Sequence, residues 1–401
     1  MSAALGPGAR PVWAAVDLAA VRHNAALLRR LSAPAALCAV VKADAYGHGA
    51  LPVARAALAG GAAWLAVAMV EEGVELRDGG VDAPVLVLSE PPPEAMAEVV
   101  ARRLTPTLYT PSGVAAAAAA AKAGHAPLDV HVKVDTGMHR VGVGAEGALQ
   151  VVEAVAGSAT LRFAALWTHF PVADGANAED RAFTDGQLAE LARVRARLAA
   201  AGMAPPMVHA ANSAGAVAFP AARLDMVRCG IALYGVTPFP VTDAGVADAM
   251  ASTGADGLRP VLSLRARVTL VRRLGAAARP SYGRLRPLPE GSAVATVPLG
   301  YADGVPRRYF DAGGAVLVGG RRRPLAGMVT MDSIVVDCGP EWDVAVGDEV
   351  VLIGSQGDES ITAVEWAQHL GTIAHEVFCG IGRRVPRVPV DGGGAVEGEG
   401  V

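Results

Sequence analysis

Apolar and polar positions are arranged in two textures along the chain. Up to about residue 230, short strand-like apolar runs alternate with longer amphipathic or Ala-rich stretches of helix-forming composition. The strand runs are ALCAVVKA (36–43), WLAVAM (64–69), PVLVLS (84–89), TPTLY (105–109), LDVHVKVD (128–135), LRFAALWTH (161–169), MVHAA (207–211) and DMVRCG (225–230). Between them lie segments such as 92–104, 113–124 and 182–202, and the last two end on Gly, a residue that favours helix termini. Eight β runs alternating with helices predict a parallel sheet, and that number favours a closed (β/α)8 TIM-type barrel over an open sheet. A preceding helix over 17–31 is expected to pack outside the barrel. The alanine run at 115–121 reads as helix rather than as low-complexity disorder.

After about residue 255 the pattern shifts to β-rich runs separated by turn residues: 262–274, 292–300, 314–320, 324–339 and 347–355. One helix (362–371) and a last run (379–390) follow, predicting a mostly antiparallel β domain. The expected organisation is therefore a barrel over 12–255, a β domain over 256–388, and a Gly-rich, acidic, disordered tail over 389–401.

Composition narrows the function classes. A formal net charge of −4 over 401 residues argues against a nucleic-acid surface. No apolar run reads as a membrane span, and the N-terminus lacks the layout of a secretory signal. Cys38, Cys229, Cys338 and Cys379 are scattered without a C-x-x-C pair, which suits reduced thiols in a cytoplasm and gives no metal site.

Chemistry enters with the polar residues that interrupt the apolar runs. Of the 35 Lys and Arg residues, only Lys42, Lys122 and Lys133 are lysines. A lysine kept at the end of an apolar strand, in a chain that uses arginine elsewhere, suits a role that guanidinium cannot fill: deprotonation and nucleophilic attack. Barrel chemistry sits at the C-terminal ends of strands. Lys42, Lys133 with Arg140, His169, His209 with Asn212-Ser213, and Arg228 all fall at or just after such ends. Gly230-Ile231 follow the last strand, where backbone N–H groups commonly hold phosphate. A reactive lysine beside a phosphate cradle suits pyridoxal 5'-phosphate.

These motifs carry a family resemblance. AVVKADAYGHG, HVKVDTGMHRVG, WTHF, HAANSAG, RCGIALYG, SYG, PLGYADG and TMDS occur in an order that resembles alanine racemase, from about Val16 to Arg387. The resemblance implies a cytoplasmic homodimer with shared active sites that interconverts L- and D-alanine and supplies D-alanine for peptidoglycan. It implies that Lys42 carries pyridoxal phosphate and is one of two catalytic bases. Tyr282 is implied as the other, reaching in from the second subunit, with His169 hydrogen-bonded to it. Tyr46, Ser213, Gly230 and Ile231 are implied at the cofactor's phosphate, Asn212 as a further cofactor-binding residue, and Arg140 at the phenolic oxygen and among the substrate-binding residues. Lys133 resembles a lysine that carbon dioxide converts to a carbamate. Arg228 is implied opposite the pyridine nitrogen with His209 behind it, Met331 at the substrate carboxylate from the other subunit, and Tyr301 at the entry channel.

The roles agree with elementary chemistry. Racemisation takes the α-proton from one face and returns it to the other, so two bases must flank the carbon. Arginine does not give up its proton, so Arg228 would leave the pyridine nitrogen unprotonated and moderate the cofactor as an electron sink. The chain departs from the family at TIAHEV, where His375 replaces a tyrosine that touches the phosphate and borders the side-chain pocket. Imidazole can still donate to phosphate, but the pocket becomes more polar. A serine or broad-specificity racemase of the same fold is the alternative. A single-barrel pyridoxal-phosphate carrier would lack the domain bearing Tyr282 and Met331, and no stretch resembles a decarboxylase of this broad fold.

Overall fold

The computed structural model describes residues 10–239, 257–341 and 343–392. They form two compact units: Ala20–Ala45 with Ala50–Arg259, and the residues up to Ala19 with Tyr46–Gly49 and Pro260 onward.

The chain opens on strand β1 (Val12–Asp17), which belongs to the second unit. The barrel unit then lays down β2 (Ala36–Val40), β3 (Trp64–Val67), β4 (Val85–Val87), β5 (Thr105–Leu108) and β6 (Leu128–Asp135). It continues with the short β7 (Val143–Gly144), then β8 (Leu161–Trp167), β9 (Val208–His209) and β10 (Met226–Cys229). The order is β10-β2-β3-β4-β5-β6-β8-β9, with β7 attached to β6, and every named pairing is parallel. Between β9 and β10, Asp225 N donates to the Val208 carbonyl (3.1 Å) and Arg228 N to that of Ala211 (2.9 Å), so the barrel nearly closes. Strands covered on both faces read as continuous apolar runs, which is why β2, β4 and β5 are apolar or uncharged throughout. The alanine run is helical as expected, within Pro111–Ala123. Thr110 caps that helix by accepting the Gly113 N–H, and Val114, Ala117 and Ala121 line its buried face.

The second unit adds β11 (Leu262–Arg267), β12 (Leu270–Arg273), β13 (Ala293–Val297), β14 (Ala315–Val318), β15 (Arg321–Pro324), β16 (Ile334–Gly339), β17 (Glu349–Gln356), β18 (Glu359–Ile361) and β19 (Arg387–Val390). One sheet runs β15-β14-β17-β11-β1-β19 with β18 on β17; a second runs β12-β13-β16. Pairing is antiparallel except between β1 and β19.

Two boundaries differ from the sequence expectation. The sequence pattern places Val12–Asp17 with the barrel domain, yet β1 lies between β11 and β19. Its nearly continuous burial is that of a central strand, and a strand's partners are chosen by long-range packing that local pattern does not record. The expected tail begins too early, because Pro389 and Val390 pair with Val16 and Asp17; residues 393–401 lie outside the described residues.

Candidate active site

In the barrel unit, Lys42 follows β2 and opens an unusual segment. Ala43, Asp44, Ala45 and Tyr46 have φ of 52°, 51°, 52° and 55°, and Gly47 has 75°, so the chain makes a turn of left-handed helix. L-residues in this conformation cost roughly 1–2 kcal/mol each, because Cβ crowds the following carbonyl oxygen. Side-chain oxygens hold the turn. Glu72 Oε1 accepts from Ala43 N (2.5 Å), while Glu72 Oε2 accepts from Ala68 N (2.7 Å) and Met69 N (3.2 Å). Asp44 Oδ1 accepts from Ala50 N at 2.7 Å. Nothing in the sequence singles out Glu72; its tie to the segment after Lys42 emerges only in the structure. Glu72→Ala should lower stability by about 3 kcal/mol, since hydrogen bonds to a charged group contribute roughly 1.5–3 kcal/mol each and the turn then relaxes. Urea unfolding checks the stability, and activity should fall with it as Lys42 shifts.

A row of side chains crosses the barrel above β6, β8 and β9. Lys133, Trp167 and His209 are neighbours in register. Lys133 Nζ and Arg228 Cζ each lie 4.5 Å from the Trp167 ring centroid, and His209 stacks on that ring. Arg228 is 3% exposed and donates only to neutral acceptors among its hydrogen bonds at the described residues. These are His209 Nδ1 (2.7 Å), His169 Nδ1 (3.2 Å) and the carbonyls of Thr168 (2.8 Å) and Ala210 (3.0 Å).

That geometry fixes proton positions. An arginine N–H can only donate, so both Nδ1 atoms accept, and each neutral ring carries its proton on Nε2. His209 Nε2 then donates to His131 Nδ1 at 3.1 Å. Burial, followed by the Arg228 charge, holds His169 and His209 well below the ordinary imidazole range and His131 at about 3. All three are neutral near pH 7. Burial also lowers Lys133 to about 7, with Arg228, Arg140 and Lys42 adding to the effect. His131 and Trp167 are the parts of this cluster that sequence reading left unassigned.

Beside the cluster, Asn212 caps the helix Ser213–Ala218 by accepting the Gly215 N–H, and its Nδ2 donates to the Phe170 carbonyl. Ser213 Oγ accepts from Gly230 N (3.0 Å) and Ala232 N (3.4 Å), tying this helix to the turn Ile231–Tyr234. Arg140 is exposed on the loop after β6, where Asp135 Oδ1 accepts the N–H groups of Gly137 and His139. Gln187, buried on Ala178–Ala200, donates to Thr136 Oγ1 and the His169 carbonyl, which steadies that loop against the segment after β8.

The second unit carries the remaining candidates. The Tyr46 and His375 rings pack with centroids 5.5 Å apart. Tyr301 and Met331 lie on adjoining turns: Tyr301 N donates to the Thr330 carbonyl (2.9 Å) and Ala302 N to that of Met331 (3.0 Å). Gly300 is required there, since a Cβ would meet the Thr330 oxygen at 2.3 Å. Asp303, fully buried, anchors these turns through Arg10, Arg384 and the Gly300 N–H. Tyr282, Tyr301 and Met331 are all exposed. Among the described residues no His, Cys, Asp and Glu cluster could hold a metal, and no helix is long and apolar enough to cross a membrane.

The alanine racemase N-terminal domain model matches residues 16–238, and the alanine racemase C-terminal domain model matches residues 261–389. The chain belongs to the alanine racemase family. Among its relatives, alanine racemase of Desulfovibrio desulfuricans is 40% identical over 383 residues, 95% of this chain and 99% of that one. That of Symbiobacterium thermophilum is 44% identical over 381 residues, covering 95% and 97%. Among solved structures, alanine racemase from Bacillus anthracis with bound L-Ala-P superposes with TM-score 0.87 at 34% identity, covering 98% of both chains. The Streptomyces coelicolor enzyme gives 0.86 at 38%, covering 95% of this chain and 98% of its own. Family membership spanning both domains removes the single-barrel carrier as a reading.

Proposed function

We propose that this chain is a cytoplasmic alanine racemase that works as a homodimer with pyridoxal phosphate. The observation that carries the reading is Arg228. It is a buried guanidinium donating to two imidazoles and two carbonyls, on the same cluster as Lys133 and His169 at the strand ends of the barrel. Among the described residues its hydrogen bonds reach no carboxylate, which fits a site that receives an anionic, electron-rich group.

The residues present fit pyridoxal phosphate. Lys42 supplies the amine. Ser213, Asn212, Gly230 and Ile231, at a helix N-terminus and the turn it holds, suit the phosphate, with Tyr46 and His375 assigned to it by family position. Arg140 is assigned to the phenolic oxygen and Arg228 to the ring nitrogen, with Lys133, made anionic as a carbamate, orienting Arg140. When bound, the cofactor supplies delocalisation of the charge left on the substrate carbon. The chain's own residues do the rest. Lys42 Nζ and the partner subunit's Tyr282 act on opposite faces of that carbon, one removing a proton while the other returns one. His169, with its proton on Nε2, can donate to the phenol oxygen of that tyrosine. Arg228, which keeps its own proton, would leave that ring nitrogen unprotonated and so temper the delocalisation the cofactor supplies, favouring proton return over competing bond cleavage. The Met331 N–H, also from the partner subunit, is assigned to the substrate carboxylate, and Tyr301 to the entrance. The product suits supply of D-alanine to peptidoglycan.

His375 supports a second substrate. Its ring, packed on Tyr46, is smaller and more polar than the family's tyrosine beside the methyl pocket. A hydroxyl in a loosely fitted pocket changes discrimination by only about 1–3 kcal/mol, so serine is expected as a slower substrate. One experiment covers both readings. In deuterium oxide, L- and D-alanine should each gain deuterium at Cα as they racemise, and L-serine should do so more slowly. In His375→Tyr the serine-to-alanine ratio of kcat/KM should fall several-fold. No exchange with either alanine enantiomer would sink the racemase reading; an unchanged ratio would remove only the pocket argument.

A further inference from the structure

Tyr282 is carried on a backbone that its sequence would not choose. Ser281 has φ 65° and ψ −174°, a region that is essentially glycine's own, and Gly283 and Arg284 follow at φ 73° and 48°. A serine stays there only where its surroundings over-determine it. Two contacts do so. Ser281 Oγ donates to the Met328 carbonyl at 2.5 Å. Behind the turn stands Gly327, where a Cβ would meet the Pro280 oxygen at 2.4 Å and Ser281 Cβ at 2.9 Å. Arg279 Nη1 closes the far side by donating to the Arg284 carbonyl at 3.1 Å. The Tyr282 side chain has little packing of its own, being 69% exposed in this chain. The direction of its phenol is therefore set by the backbone beneath it.

We propose that Ser281 is a positioning residue for Tyr282: its hydroxyl tether holds the strained turn that aims the phenol. The proposal rests on Tyr282 being one of the two bases. A tether serving only to stabilise the turn would alter thermal unfolding and leave proton transfer alone. One serving to aim the base would slow a single proton transfer, because a displacement of about 1 Å at a reacting group costs on the order of 100-fold.

The test uses the holoenzyme and the variants Ser281→Ala, Ser281→Gly and Tyr282→Phe. Ser281→Ala removes the tether and leaves the strained Cβ, while Ser281→Gly removes both and can adopt the turn without strain, so it stands in if the alanine variant fails to fold. L- and D-alanine are equally stable, so kcat/KM must fall equally in both directions and cannot show which step was hurt. The Cα-deuterium isotope effects can. We expect kcat/KM about 100-fold lower with KM little changed, cofactor absorbance retained, and isotope effects that diverge. The effect should rise in the direction where Tyr282 takes the proton and fall in the direction where Lys42 does. If Tyr282→Phe is inactive and both Ser281 variants keep wild-type isotope effects, the positioning role is overturned and the base assignment stands. If Tyr282→Phe keeps wild-type activity, the base assignment fails and the Ser281 proposal falls with it.

Discussion

Lys42→Arg should reduce racemisation of alanine by at least about 10⁴-fold and abolish covalent retention of the cofactor. The substitution keeps a positive charge at the end of β2 and removes the one property proposed to matter, since guanidinium stays protonated and cannot attack a carbonyl. The loss is expected to exceed that of a lone general base, about 10²–10⁴-fold, because the same atom is assigned both jobs. The competing assignment is Lys133, a buried amine lowered to about 7 and hence largely neutral at slightly alkaline pH. Geometry favours Lys42. Lys133 Nζ lies over the Trp167 ring among residues that orient Arg228, whereas Lys42 begins a segment held in a costly backbone conformation. Borohydride reduction followed by peptide mapping separates them, since the chain has only three lysines. A pyridoxyl group on the peptide containing Lys133 or Lys122 would overturn the assignment.

Lys42→Ala and Tyr282→Phe homodimers should each be nearly inactive, yet mixing them after dissociation should restore activity. Lys42 lies in the barrel unit and Tyr282, highly exposed, in the other. If each site takes its lysine from one chain and its tyrosine from the partner, a mixed dimer holds one intact site and one doubly mutated site. Random reassortment makes about half the dimers mixed, so recovery should approach about one quarter of wild-type activity. Mass spectrometry confirms that mixed dimers have formed. Absence of recovery in their presence would mean that each chain builds its own site.

Much of this organisation is legible in the sequence, for reasons that differ by residue. The barrel shows because parallel strands buried on both faces leave continuous apolar runs, and Lys42 shows because arginine supplies nearly all the other positive charge. Arg228 and His169 interrupt apolar strand ends and are found the same way. Trp167 and His131 escape notice, because an apolar ring or a lone imidazole within a strand looks like core until registry puts it beside Lys133 and His209. Glu72 is hidden because its three backbone partners lie across a loop and on another segment. The misplacement of β1 has the same origin. Partners distant in sequence decide which sheet receives it, and no local period encodes them. Ser281 is invisible for another reason: φ is a property of the folded chain, and the SYG triplet names the residues without their dihedrals.

The segment after Lys42 has a further consequence. From Ala43 to Tyr46 the main chain is wound in the opposite hand from the ordinary helices around it. For a residue of inverted chirality the crowding that opposes this winding disappears, since its Cβ points to the other side of the backbone. Chemical synthesis with D-alanine at position 43 should therefore leave the turn intact and release steric energy that Glu72 and Asp44 now offset. In a chain assembled from L-amino acids, this is a place where the mirror-image monomer would be the better building block.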